Sequence, residues 1–87
     1  MKGTTKSGFA YEIDDEILDD YEVLEGLCAI DRGEISIFPV LVKDILGEKQ
    51  LKSLKDHVRT DKGKVPVGAL MAAFQEILTA SKTGKNS

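Results

Sequence analysis

Eighty-seven residues, 41% apolar and 31% charged, suffice for one small domain with a single modest core. No apolar run approaches the roughly 18 to 20 residues of a membrane span, and no basic-then-apolar leader opens the chain, so a cytoplasmic protein without membrane contact is expected. The net charge of −3 hides a division, because residues 1–11 carry +2, residues 12–34 carry −9 (ten acids against Arg32) and residues 43–87 carry +4.

Residues 2–13 read as an extended arm or hairpin, with Lys6-Ser7-Gly8 as the turn and Phe9, Tyr11 and Ile13 alternating onto one face. Two short strands bury little alone, so the arm must pack on helices or pair with another molecule. Asp14 or Asp15 then suits an N-cap, and Ile17, Tyr21, Leu24 and Cys28, widened by Leu18, Leu27 and Ile30, predict one helix over residues 15–31 that stops at Gly33. In this reading Cys28 is a small core residue. Its acidic surroundings do not favour a reactive thiolate, and as the single cysteine it has no intramolecular disulfide partner.

Ser36 is the expected cap of a second helix with Pro39 in its first turn, apolar on most sides, ending at Gly47. A third helix spans Glu48 to Arg59, with Leu51, Leu54 and Val58 inward and Lys49, Lys52, Lys55 and Arg59 on a basic outer face. After the polar turn at 60–64, Val65-Pro66 opens a fourth helix with the stripe Val67, Leu70, Met71, Phe74, Ile77 and Leu78. The expected fold is mainly α: a short N-terminal β-arm or hairpin (residues 1–14) followed by a small four-helix bundle (15–80) and a flexible tail (81–87), all one domain.

No residue pattern spells a reaction. His57 is the sole histidine and lacks the partners of a zinc site or a triad, so a surface or half-buried helix position is expected. A calcium loop starting at Asp14 fails, because its fifth ligand position falls on Leu18 and its obligatory glycine on Asp19. Neither catalysis nor a cofactor nor a metal is expected. Residues 40–59 also fit a helix-turn-helix presenting Lys49, Lys52, Lys55 and Arg59 to phosphates, but the nearby carboxylates would repel a polyanion. A DNA-binding regulatory module is therefore an alternative, as is a small protein-binding adaptor or inhibitor.

Four short motifs carry a family likeness: Leu18-Asp19-Asp20-Tyr21-Glu22, Leu46-Gly47-Glu48-Lys49-Gln50 continuing to Leu54, His57-Val58-Arg59, and Gly63-Lys64-Val65-Pro66. In these the chain resembles the small tail assembly chaperones of long-tailed (siphovirus-type) bacteriophages and prophages of Gram-positive bacteria. The resemblance implies a non-enzymatic protein that binds the tape measure protein, forms homo-oligomers, and occurs beside a longer frameshifted form of itself. A chaperone for an apolar helix needs an adaptable apolar groove, for which Phe38, Val42, Met71 and Phe74 are the candidates, with ordinary core as the competing role. Asp19, Glu22 and Glu25, set against Lys49, Lys52 and Lys55 of a neighbouring copy, are the candidates for self-assembly.

Overall fold

The computed structural model describes the backbone of residues 1–85 and the side chains of residues 1–80. Two strands, β1 (Lys2–Thr4) and β2 (Ala10–Glu12), form an antiparallel hairpin and are followed by the helices α1 (Asp15–Leu18), α2 (Tyr21–Asp31), α3 (Phe38–Val58) and α4 (Val67–Lys85). A 3-10 turn over Ile35–Ile37 leads into α3. α4 continues through residues 81–85, where a tail was expected over 81–87, and residues 86 and 87 lie outside the described ones. Among the described residues, no helix is long and apolar enough to cross a membrane.

The arm pairs within its own domain, with Gly3 opposite Tyr11 and Lys2 opposite Glu12. Its turn closes through the Gly8 N–H to the Thr5 carbonyl and the Phe9 N–H to Thr5 Oγ1, which supplies the partner that buried Thr5 requires. As the alternation predicts, Phe9, Tyr11 and Ile13 point together into the core, where they meet Val42, Ile45 and Leu54 of α3 and Phe74 and Ile77 of α4. Ile13, Ile45, Leu54 and Ile77 are at most 1% exposed, so the centre lies where the hairpin, α3 and α4 converge.

The helix expected over residues 15–31 is broken. Asp14 caps α1 by accepting the Glu16 N–H at 2.9 Å, and Asp20, in an extended conformation (φ −80°, ψ 126°), caps α2 by accepting the Glu22 N–H at 2.8 Å. Aspartate competes with the helix backbone in this way wherever it can cap instead, and a second cap six residues after the first ends the first helix after one turn. Ser36 makes no capping bond; α3 starts from the 3-10 turn with Pro39 in its first turn, where a missing N–H costs nothing. Gly33 (φ 92°) and Gly47 (φ 82°, ψ 159°) take backbone conformations open mainly to glycine. Gly33 ends α2 as part of a two-bond cap, its own N–H on the Ile30 carbonyl and that of Glu34 on the Ala29 carbonyl. Gly47 interrupts α3, so its two halves are the second and third of the expected helices.

Candidate functional site

The break at Asp19-Asp20 resets the phase of the acidic helix, and that decides what α2 offers to solvent. Ile17 belongs to α1, so the row from Ile17 through Tyr21, Leu24 and Cys28 is not continuous. Gly26 sets the orientation: a Cβ there would sit 2.9 Å from Leu41 Cδ1, so α2 lies against α3 along its glycine. At the helical repeat, Tyr21, Leu24 and Cys28 fall roughly 140–160° around α2 from Gly26. They face outward accordingly, Tyr21 69% and Leu24 53% exposed, with Cys28 exposed as well. Cys28 is therefore not the core residue its spacing suggests. The inward positions are Val23, Gly26 and Ala29, with Leu27 and Ile30 half-buried against the core.

This outward row lines one side of an open cleft of about 650 Å³ that also takes in Glu22, Glu25, Arg32 and Ile37 and reaches Gly26 and Ala29 on the packed side of α2. Exposed apolar side chains at helical spacing are unusual when contiguous, whereas scattered ones need no explanation. The spacing of Tyr21, Leu24 and Cys28 alone points to the core and does not reveal the row as surface. Gly26 was the available signal, since a glycine within a helix marks either weakness or a close approach.

The four groove candidates divide. Val42 is 2% exposed and belongs wholly to the core. Phe38 and Phe74 meet edge to face, ring centroids 5.6 Å apart, and are mostly buried, yet together with half-buried Met71 they line a groove of about 360 Å³ between α2 and α4. Leu27, Ile30 and Leu78 complete its apolar wall.

Of the charged candidates, Asp19, Glu22 and Glu25 are exposed, as are Lys49 and Lys52, while Lys55 is half-buried. None of the six has an ion-pair partner among the described residues, where the pairs are Met1 with Asp15, Arg32 with Glu34, Lys43 with Glu48 and Arg59 with Asp56. Lys49, Lys52 and Lys55 line one open cleft with Lys43 and Arg59, and Leu51 lies between them. Lys49, Lys52 and Lys55 thus lie together on one side of α3 without an ion-pair partner among the described residues, while Lys43 and Arg59 beside them pair with Glu48 and Asp56, which line the same cleft. A single non-helical residue, Gly47, separates the halves of α3, in contrast to the turn of about three to four residues in a helix-turn-helix.

His57 is exposed at the end of α3, its ring 5.7 Å from that of Phe9 and its Nε2 3.1 Å from Ser7 Oγ. It ties the hairpin turn to the bundle, as does Glu76, whose carboxylate accepts the Lys6 N–H at 2.7 Å. No group of three or more His, Cys, Asp or Glu among the described residues is arranged to hold a metal ion. The described surface carries two open recesses with apolar side chains in their walls, an acidic stretch over α1 and α2, and a cationic side on the second half of α3. No protein-family model, no curated protein and no solved structure matches the chain.

Proposed function

We propose that this protein is a tail assembly chaperone of the kind found in long-tailed phages and prophages of Gram-positive bacteria, working in the cytoplasm of the bacterial host through binding alone. It binds the tape measure protein and assists its delivery to the growing tail tube, as a homo-oligomer and together with a longer frameshifted form of itself. The motifs from Leu18 to Glu22, Leu46 to Leu54, His57 to Arg59 and Gly63 to Pro66 suggest the family. The observation that carries the reading is the groove between α2 and α4, which Met71 lines together with Phe38 and Phe74. Methionine and aromatic side chains accommodate apolar partners of varied shape, which suits a chaperone for a long helical client.

Assembly follows from the charges. Asp19, Glu22 and Glu25 on one copy and Lys49, Lys52 and Lys55 on the next are exposed or half-exposed, opposite in sign and unpaired within the chain. Such a contact is heterologous, so it extends instead of closing unless its geometry forms a ring.

Co-expression with the tape measure protein encoded alongside it tests the reading. The expected result is that the client becomes soluble and co-purifies with the chaperone. A client that stays insoluble, or is soluble without co-purifying, contradicts the proposal.

A further inference from the structure

We infer that the outward face of α2, with Tyr21, Leu24 and Cys28 at its centre, Glu25 at its edge and Glu22 further round the cleft toward Gly26, is a docking surface for an amphipathic helix whose apolar row is flanked by lysine or arginine. This surface shares no residue with the groove between α2 and α4.

Three observations specify the occupant. The exposed apolar residues recur at i, i+3 and i+7, the spacing of one helix face, and together they run about 10 Å along the axis. A row of that kind, in an open cleft walled on one side by Ile37, fits the ridge of another helix laid along it. Its exposure is also selective, because the same helix buries Val23 and Ala29 and packs Gly26 onto Leu41. The partner must therefore bring apolar side chains to cover Tyr21 and Leu24.

Charge supplies the remainder. Glu22 and Glu25 line the cleft without an ion-pair partner among the described residues, and the nearby cation, Arg32, is engaged by Glu34 at 3.1 Å. A partner with acidic edges would be repelled, and one with neutral edges would leave the carboxylates uncompensated; basic edges satisfy both. The basic side that assembly would bring to these carboxylates from a second copy answers their charge through Lys49 and Lys52, but Arg59 there is engaged by Asp56 at 3.1 Å and only half-buried Leu51 is apolar, so Tyr21 and Leu24 stay uncovered. Self-assembly and helix docking therefore compete for Glu22 and Glu25.

The probe is a fluorescein-labelled helical peptide of leucine and lysine, about 14 residues long, with leucines on one face, compared with the same peptide carrying glutamate in place of lysine. Fluorescence anisotropy should show saturable binding of the lysine peptide to the whole protein and none of the glutamate peptide. The double substitution Tyr21→Ser and Leu24→Ser leaves the net charge unchanged and should weaken binding by about tenfold or more. Glu22→Gln with Glu25→Gln should weaken it several-fold and flatten its salt dependence. All four positions are exposed, so circular dichroism should show both variants folded. Binding of the lysine peptide that stays within about twofold after the serine substitutions overturns the inference, since attraction to bulk negative charge would then explain it. So does loss of self-association in the serine variant with peptide binding retained, which would assign the face to a second copy.

Discussion

The side chain of Gln50 holds the backbone of Glu12 by both of its polar groups, Oε1 accepting from the N–H and Nε2 donating to the carbonyl, each at 2.6 Å. It completes the free edge of β2 as a neighbouring strand would, and Nε2 also reaches the Leu46 carbonyl at 2.7 Å, one turn back across the break at Gly47. One amide thus fastens the hairpin to α3 and bridges the interruption in that helix. Gln50→Ala should lower the free energy of unfolding by about 1–2 kcal/mol in urea denaturation. Gln50→Glu should be at least as harmful, because a carboxylate has no donor for the two carbonyls.

Gly26 and Leu41 make the second such prediction. Alanine is favoured over glycine within a helix by about 1 kcal/mol, but here the added methyl would press on both buried Leu41 methyls, at 2.9 and 3.3 Å. Overpacking of that kind costs about 1–3 kcal/mol, so Gly26→Ala should be destabilising on balance. Gly68→Ala is the internal control, since nothing lies within 4 Å of its Cβ position and it should stabilise. Thermal melts of the two variants should shift in opposite directions.

These two contacts also mark how far the residues spoke for the fold. The alternation of Phe9, Tyr11 and Ile13 and the turn at Gly8 announce the hairpin, the stripe from Leu70 to Leu78 announces α4, and Gly47 announces the interruption of α3. The basic side of α3 was legible because Lys49, Lys52 and Lys55 follow one another at three-residue spacing. The phase of α2 was not. Both flanks of the acidic helix carry apolar residues, and either row satisfies the helical period; only the cap at Asp20 and the close approach at Gly26 choose between them. The groove between α2 and α4 was half legible: Phe38, Met71 and Phe74 have the right chemistry, but their meeting depends on how helices distant in sequence pack.

Within that groove, stability and recognition can be separated. Phe74 is 3% exposed and meets Phe38 edge to face, so Phe74→Ala should cost about 3–5 kcal/mol and abolish binding only by unfolding the domain. Met71 is half-buried, and Met71→Ser should leave a cooperative thermal transition while reducing co-purification of the client.

Charge reversal addresses assembly. Lys52→Glu with Lys55→Glu removes part of the unpaired cationic side of α3 and sets it against the carboxylates of the next copy. Light scattering at high protein concentration should show oligomers for the wild type and a lower mean mass for the variant, with the difference shrinking as salt rises. A wild type that remains strictly monomeric contradicts assembly through these faces.

α2 turns Tyr21, Leu24 and Cys28 away from the core, and the single thiol reports on that orientation directly. Cys28 in the native protein, diluted to keep copies apart, should react fully with an uncharged disulfide reagent without denaturant. A thiol that resists the reagent until the domain is unfolded would put Cys28 in the core and contradict both the orientation of α2 and the docking surface built on it.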